Sequence, residues 1–406
     1  MSVSVSNQNA VAAMQAARPM LADVRTARDV IPELKVRALL HAGPPVTWEN
    51  MVDIQRGAVI GALLYEGWAQ SADAAEQMMA SRDVHLIPCN DVNAVGGLAG
   101  ITSPSMPVAV VENAMGSQVA FCRLWEPRLI FGNHDADTIK LLQWLERVFA
   151  PTLTQALRRA GKFDLFGIIG KALHMGDDCH SRLYAGSSIF LRTLLPHLVR
   201  ADVPSNDLSS VIDFLATNDG AFLTFVMASA KVIALAGSDV PGSSIVTTIC
   251  SNGRETGIYL SGTGKRWFTG PAPIVDGVLL PGITPADASP QIGDSAIAEV
   301  VGLGGCAMAA APESPSNVRG KLDDAIALSR TAINIAVAQH SAWTIPVLGF
   351  AGTALGLDAR LIVEQNTLPP LAATIPHRRA GSGRAGAGIS RFPISIFEQA
   401  LATLGS

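Results

Sequence analysis

The chain has 406 residues, of which 49% are hydrophobic, 16% are charged and 5% are aromatic, and its formal net charge is −4. This length predicts two or three domains with more than one buried core. The weakly acidic balance excludes the long basic face that nucleic-acid binding requires. Five cysteines without a CxxC pair argue against a disulfide framework and favour a reducing compartment.

The sequence has no targeting or membrane signal. Its first residues lack the basic start and apolar run of a secretory signal. Lys231 and Glu299 interrupt the longest apolar runs, so neither reaches the length of about 18 apolar residues that a membrane span needs. We therefore expect a cytoplasmic protein without nucleic-acid or membrane partners.

Short apolar runs alternate with helical patterns in the first part of the chain. Residues 36–42 and 108–113 are short and rich in Val and Leu, which is typical of strands. Between them, residues 51–69 repeat apolar side chains every three or four positions, which predicts a helix. Ser71 is a candidate N-cap of the next helix, because its hydroxyl oxygen accepts a bond from an N–H of the first turn.

The middle of the chain, from about residue 135 to 232, has a helical pattern. Pro151 falls inside it and predicts a break or kink, because proline cannot donate to the i−4 carbonyl. Beyond Pro241, glycine, proline and β-branched residues return. There Asn252-Gly253 predicts a hairpin turn, since both residue types tolerate positive φ.

Further helices are expected near residues 294–308 and 321–339, with a short one close to the carboxyl end. Together these patterns predict a mixed α/β, or α+β, fold. Two α/β lobes, residues 1–130 and 236–406, are expected to flank a smaller helical domain, residues 131–235.

The first polar cluster with chemical potential lies in residues 86–107, on both sides of a Gly-rich turn. Successive glycines allow backbone N–H groups to converge on an anion or a carbonyl oxygen. The alternative is an ordinary strand–turn–strand connection, and Cys89 is less favoured as a nucleophile because free cysteines are usually buried. The candidate substrate-binding residues in this part of the chain are Cys89, Asn93, Ser103, Ser105 and Asn113.

The second cluster lies in residues 171–184. If the segment is helical, His174 and Asp178 share one face, and so do Asp177 and His180. The alternative to acid–base work by a histidine is a polar network between domains, with Arg182 paired to one of the aspartates. The spacing matches neither HExxH nor a zinc finger, so we expect no metal and no other cofactor. The candidate catalytic residues are His174, Asp178 and His180.

Two Gly-rich segments follow. In residues 251–277, a tight polar turn precedes basic residues, and such a turn suits a carboxylate or phosphate unless it is a plain hairpin with a basic tip. Residues 377–391 contain GSGRAG without a preceding apolar strand or a following acidic residue, which indicates a mobile phosphate-steering loop or a surface loop rather than a dinucleotide site. The candidate binding residues of the first segment are Ser261, Thr263, Arg266 and Trp267.

Several segments together resemble the AllG family, from about residue 25 to the carboxyl end. The segments that carry the resemblance are LLHAGPPVTWE, RGAVIGALLYEGWA, PCNDVNAVGGLAGITSPSMPVAVVEN, HMGDDCHSR, SGTGKRWFTGPAP and GDSAIAEVVGLGGCAMAAAP. One departure concerns the first polar cluster. The family usually has histidines after its cysteine, whereas this chain has Asn90, Asp91 and Val92, which argues against an acid–base role there.

The resemblance implies two α+β lobes with a small helical domain, and a subunit of an oxamate carbamoyltransferase-type system. In that system, phosphate splits oxalurate, a late product of allantoin breakdown, into oxamate and carbamoyl phosphate. A companion subunit similar to succinyl-CoA synthetase is also implied.

From these observations we expect the first polar cluster and the Ser261–Trp267 turn to converge on a small anionic metabolite, such as a ureido acid, phosphate or carbamoyl phosphate. Arg266 would anchor the anion, Asn93 and Ser105 would donate to a carbonyl, and a histidine would move the proton. A homo-oligomer is expected. The alternative is a non-catalytic ligand-binding or assembly subunit of a larger complex.

Overall fold

The computed structural model describes residues 3–311, 313 and 320–404 of the chain. Helices and mixed and antiparallel sheets make up the fold, so the predicted α+β class is confirmed. The helices are α1 (Val3–Ala16), α2 (Ala27–Val30), α3 (Asp53–Tyr65), α4 (Ala72–Ala80), α5 (Ala136–Trp144), α6 (Ala150–Ala160), α7 (Leu165–His174), α8 (Tyr184–Leu198), α9 (Ser205–Thr217), α10 (Ala221–Ala236), α11 (Ile297–Val300), α12 (Leu322–Asn334), α13 (Ala359–Glu364) and α14 (Ile394–Leu404). The strands are β1 (Pro19–Thr26), β2 (Ala38–His41), β3 (His85–Pro88), β4 (Ala94–Val95), β5 (Pro107–Asn113), β6 (Val119–Arg123), β7 (Phe163–Asp164), β8 (Val246–Asn252), β9 (Glu255–Leu260), β10 (Phe268–Pro271), β11 (Asp276–Leu279), β12 (Ile292–Gly293), β13 (Ala336–Ile345), β14 (Ala351–Leu357), β15 (Leu371–Pro376) and β16 (Arg384–Ser390).

The strands form sheets that are mostly antiparallel. The largest has the order β4-β6-β5-β1-β7, with β1 antiparallel to β5 and β4 parallel to β6. A second sheet has the order β10-β9-β8-β12, and a third the order β11-β16-β15. Two-stranded sheets pair β13 with β14 and, in parallel, β2 with β3.

Helix α10 lies in the largest hydrophobic core and brings the sheets together. It packs against β5, β6, β8 and α1, and its residues are almost all buried. A helix that is apolar around its whole circumference is expected to lie inside a protein. Polar side chains on α10 therefore face protein groups, and Lys231 is one of them.

Several local predictions are confirmed. Strands β2 and β5 and helix α3 form where the patterns place them. The Ser71 hydroxyl accepts from the Ala74 N–H at 3.2 Å and caps α4. Strands β8 and β9 form the predicted hairpin, in which the Asn252 side chain accepts from the N–H groups of Arg254 and Glu255.

Three local predictions are wrong. The helix expected over residues 321–339 ends at Asn334, because pairing of β13 with β14 overrides helical propensity from residue 336. The helix expected over residues 294–308 is only α11 followed by a 3₁₀ stretch, Gly304–Ala310. The loop expected around GSGRAG gives way at Arg384 to β16, whose glycines allow close approach of the β11 backbone.

Pro151 lies at the start of α6, and a π-helical turn, Leu145–Phe149, joins α5 to α6 just before it. In place of the break or kink predicted at Pro151, one π-helical turn connects α5 to α6, and the chain stays helical through it. Helices α5 to α10 occupy residues 136–236 with only the short strand β7 among them. The domain boundaries at residues 130 and 235 stay predictions.

In the described part of the chain, no single helix is long and apolar enough to cross a membrane. Helices α9 and α10 meet that test only when taken together, and their axes differ by 74°.

Candidate functional site

A cavity of about 290 Å³ lies where distant parts of the chain meet. Its volume is close to the lower end of the range for small-molecule sites, roughly 300–1,000 Å³. Arg123, His180 and Arg384 line it, and no Asp or Glu of the described residues does, so its wall offers cationic N–H donors that suit a small anion. The lining residues come from residues 96–98, 122–131, 180–183, 220–227, 291–295 and 373–387.

Arg123, the last residue of β6, places a buried guanidinium in the cavity wall. Its side chain is 6% exposed, and its Nη2 donates to Glu126 Oε1 at 3.0 Å. Nη1 is buried and has no hydrogen-bond partner among the described residues. A buried donor without a partner costs about 1–3 kcal/mol. An acceptor atom of a ligand that reached this N–H would remove that cost.

Glu126 holds the Arg123 guanidinium in place. The carboxylate is fully buried and also accepts from the backbone N–H groups of Arg128, Leu129 and Ile130, at 2.7, 2.7 and 3.1 Å. These three bonds and the one from Arg123 Nη2 satisfy the Glu126 carboxylate without a bond from Arg123 Nη1. Arg123 keeps one set of donors for the cavity.

His180 contributes an imidazole to the same cavity, and Glu299 orients it. The distance from His180 Nδ1 to Glu299 Oε1 is 2.8 Å. Burial lowers the pKa of His180, but the charge of Glu299 and its hydrogen bond raise it, and the net pKa is above the usual value. Because a carboxylate only accepts, Nδ1 carries the proton, and Nε2 is the nitrogen left for a ligand.

Glu299, on α11, is itself fixed by the backbone. Its Oε1 accepts from the N–H groups of Gly305 and Ala372, each at 2.9 Å. Gly304 has φ of +58°, and a Cβ there would overlap Glu299 Oε1 and lie 2.9 Å from His180 Nδ1. Only glycine fits at this position beside the His180–Glu299 pair.

Asp294 fastens two walls of the cavity to each other. Its Oδ2 accepts from the Gly96 N–H at 2.9 Å, and its own N–H donates to the Gly96 carbonyl at 2.9 Å. Oδ1 accepts from the Gly43 N–H at 2.8 Å. Burial raises the pKa of Asp294 to about 7. The Gly-rich turn of the first polar cluster is thus positioned by a carboxylate that lies 198 residues further along the chain.

Two further polar groups complete the lining. Gln291 lines the cavity, and its Oε1 is a buried acceptor without a partner among the described residues, as Arg123 Nη1 is a buried donor without one. Arg384, the first residue of β16, is exposed and donates through Nε to the Gly386 carbonyl at 3.0 Å. A ligand with both anionic and N–H groups would satisfy this set.

The predicted residues of the first polar cluster do not line the cavity. Cys89 is buried, its thiol donates to the Gly100 carbonyl, and burial raises its pKa well above the usual value, so the thiolate is disfavoured. Ser103 and Ser105 both donate to Glu66 at the end of α3.

The other two predicted residues from that stretch, Asn93 and Asn113, lie at turns of the backbone. Asn113 accepts from the N–H groups of Arg18 and Met115 and holds a turn after β5. Asn93 lies in the left-handed region with φ of 59°, and its Oδ1 is buried without a partner among the described residues.

The Ser261–Trp267 turn does approach the first polar cluster, and the contact is at Asp91. Trp267 Nε1 donates to Asp91 Oδ1 at 3.1 Å, and the Lys265 ammonium donates to the Asp91 carbonyl. Arg266 is exposed, with its guanidinium 5.4 Å from the ring centroid of Phe268. The expected anion anchor therefore lies outside the cavity lining.

The hydroxyls of that turn bond to the backbone. Ser261 donates to the Gly237 carbonyl at 2.6 Å and Thr263 to the Leu260 carbonyl at 3.1 Å. These bonds shape the turn after β9 and leave neither hydroxyl in the cavity lining.

The 171–184 segment differs from its helical interpretation, because α7 ends at His174. Asp178 therefore shares no helical face with His174. Its Oδ1 instead accepts from the N–H groups of His180, Ser181 and Arg182 in the following turn. His174 is exposed and bonds to Thr344 Oγ1 at 2.8 Å, outside the cavity.

The ion pair between Arg182 and an aspartate, which was part of the alternative for this segment, is present. Arg182 Nε lies 3.8 Å from Asp177 Oδ1, and its guanidinium also pairs with Glu313. Among the residues with described positions, no group of three or more His, Cys, Asp or Glu side chains is placed to hold a metal ion.

Most of the residues that form the cavity carry no signal in the sequence. Arg123, Glu126 and Gln291 belong to no recognisable motif, and the cavity forms only when distant segments pack. Glu299 did give a signal, because a charge inside an apolar run is costly unless it is used. The same signal at Lys231 marks a buried ammonium that donates to Asn90 Oδ1 at 2.8 Å.

Comparison with known proteins identifies relatives along almost the whole chain. The family model described as "Oxamate carbamoyltransferase subunit AllG" matches residues 84–295. The protein of that name from Escherichia coli (strain K12) is 39% identical over 409 residues, which cover 99% of this chain and 98% of the relative. The uncharacterized protein YahG of the same strain is 36% identical and covers 98% and 85%. The crystal structure of a conserved protein of unknown function from Enterococcus faecalis V583 has a TM-score of 0.98 and 38% identity, covering 99% of this chain and 97% of that one.

Proposed function

This chain belongs to the AllG family, and from that premise we propose that it is a subunit of an oxamate carbamoyltransferase with its substrate site in the cavity lined by Arg123 and His180. The proposed substrate is the ureido acid oxalurate, which phosphate cleaves to oxamate and carbamoyl phosphate. One observation carries this assignment: the Arg123 side chain lines a cavity that no Asp or Glu of the described residues lines, and its buried Nη1 has no hydrogen-bond partner among those residues.

The reaction defines what the site must supply. A phosphate oxygen attacks the ureido carbonyl carbon, and the bond from that carbon to the oxamate nitrogen breaks. The proton of hydrogen phosphate ends on that nitrogen, so carbamoyl phosphate and oxamate leave with the charge that entered. Negative charge develops on the carbonyl oxygen and on the leaving nitrogen. The site therefore needs oriented donors and a proton carrier more than a nucleophilic side chain.

Arg123 is the proposed anchor for the oxamyl end of the substrate. Its Nη1 would donate to a carboxylate or carbonyl oxygen, and a hydrogen bond to a charged group contributes about 1.5–3 kcal/mol. We assign this role to Arg123 instead of Arg266, because Arg266 is exposed and covers the Phe268 ring.

His180 is the proposed proton carrier, with Glu299 as its positioning residue. The Glu299 carboxylate raises the pKa of His180. A larger fraction of the imidazole is therefore protonated near neutral pH. The imidazolium would protonate the leaving nitrogen through Nε2 and regain the proton given up by phosphate. We assign no proton transfer to His174, which is exposed outside the cavity.

Calorimetric titration with oxamate tests the site. Arg123→Lys keeps the charge beside Glu126 but loses the guanidinium fork, and oxamate affinity is expected to fall about 10- to 100-fold. Arg266→Lys is the matched control and should change the affinity less than about twofold. Equal affinity in Arg123→Lys and the parent would exclude the cavity as the oxamate site. A loss confined to Arg266→Lys would return the site to the Ser261–Trp267 turn.

The role as a subunit extends the proposal beyond this chain. The relative's name describes a subunit, so we propose that a companion, similar to succinyl-CoA synthetase, completes the reaction, and that this chain forms a homo-oligomer. We also propose a cytoplasmic location and a place in allantoin nitrogen catabolism.

A further inference from the structure

Arg384 differs from Arg123 in its electrostatic surroundings. It lines the cavity and is also exposed, so it stands at the edge between the cavity and solvent. Nε donates to the Gly386 carbonyl, and no Asp or Glu of the described residues forms an ion pair with it. No carboxylate of the described residues therefore neutralises the guanidinium, and its terminal N–H groups are left for another group.

The position of Arg384 is fixed by the strand and turn around it. Residues 377–383 form a turn closed by the bond from the His377 N–H to the Gly383 carbonyl at 2.9 Å. Gly381 donates its N–H at 2.8 Å to the carbonyl of Phe131, which lines the cavity. Thr374, on the paired strand β15, also lines it. Arg384 thus belongs to an ordered wall.

We propose that Arg384 forms a phosphate subsite at the exposed edge of the cavity. This inference rests on the proposed function and adds which end of the site takes the phosphoryl group, whether as inorganic phosphate or as part of carbamoyl phosphate. Arg123 is already paired with Glu126 and suits a singly charged carboxylate, whereas an unpaired guanidinium fork suits a doubly charged phosphate.

The two subsites follow the order of the reacting groups. With the oxamyl carboxylate at Arg123 and the phosphoryl group at Arg384, the carbamoyl carbon would lie between the two, and phosphate would attack it from the solvent side. The carbon–oxygen bond of carbamoyl phosphate forms while the carbon–nitrogen bond of oxalurate breaks. The new phosphoryl product would then be held by Arg384 at the cavity edge.

Titration with inorganic phosphate, at constant ionic strength and with and without saturating oxamate, tests the subsite. Arg384→Gln should weaken phosphate binding at least about tenfold, the loss expected for a charged hydrogen bond, and should weaken oxamate binding far less. Arg379→Gln is the matched control, because Arg379 is exposed on the adjacent turn and does not line the cavity. Its phosphate affinity should stay within about twofold of the parent.

The results separate this inference from the proposed function. Unchanged phosphate affinity in Arg384→Gln, equal losses in both variants, or no phosphate binding by the parent would each overturn the subsite. Failure of the parent to bind oxamate contradicts the proposed function, even where the phosphate subsite is found.

Discussion

Replacing Gly304 with alanine should disrupt the His180–Glu299 pair from the backbone side. The left-handed φ of +58° alone costs a non-glycine residue about 1–2 kcal/mol. The added Cβ would overlap Glu299 Oε1, which accepts from His180 and from two backbone N–H groups. Losing one or two hydrogen bonds to this charged oxygen costs about 2–4 kcal/mol more, so we expect a total of about 3–6 kcal/mol.

Gly349→Ala provides the matched control. Gly349 also has positive φ, +67°, but no atom lies within 4 Å of the position of its Cβ. This variant should lose only the conformational part, about 1–2 kcal/mol. Urea unfolding followed by tryptophan fluorescence gives both free energies, and circular dichroism checks that each variant folds.

A second readout addresses the pair itself. Displacing Glu299 removes the charge that raises the pKa of His180, so Gly304→Ala should lower that pKa, as followed by NMR. If Gly304→Ala costs no more than Gly349→Ala and leaves the His180 pKa unchanged, Glu299 does not occupy the position from which it orients the imidazole.

Three further predictions concern other parts of the molecule. Burial raises the folded-state pKa of Asp294 to about 7, so the free energy of unfolding should decrease as pH rises from about 4 to 7. Asp294→Asn should reduce that decrease by a few kcal/mol in urea unfolding. Parallel pH profiles of parent and variant would contradict this prediction. Cys89→Ser should keep oxamate affinity within about twofold, because the thiol is buried and bonded to Gly100; loss of binding with the fold intact would return this residue to the site. The isolated chain should elute as an oligomer and turn over oxalurate slowly, and added companion subunits should raise the rate by orders of magnitude; full phosphate-dependent turnover without them would make the chain a self-contained enzyme.

The local elements were predictable because their causes are local. A serine before an amphipathic run caps α4, and Asn-Gly between β-branched runs forms the β8–β9 hairpin. Strand β13 was not predictable from its own sequence, because its conformation depends on pairing with β14.

The cavity was predictable only in part, for a related reason. His180 was predicted because it would share a helical face with Asp177. It does line the cavity, but α7 ends at His174, so that helical spacing is not the reason. Arg123 and Glu126 belong to no recognisable motif. They form a buried ion pair only because segments that are distant in sequence pack around them. Ser103 and Ser105 were predicted to bind substrate, but their hydroxyls donate to Glu66 and stabilise a loop.

A crystal structure of the protein with oxamate bound is the most direct test of the substrate site. We expect the oxamate carboxylate or carbonyl within hydrogen-bond distance of Arg123 Nη1, and the amide nitrogen near His180 Nε2. Oxamate bound instead beside Asp91 and Trp267, with the cavity lined by Arg123 unoccupied at saturating ligand, would contradict the assignment.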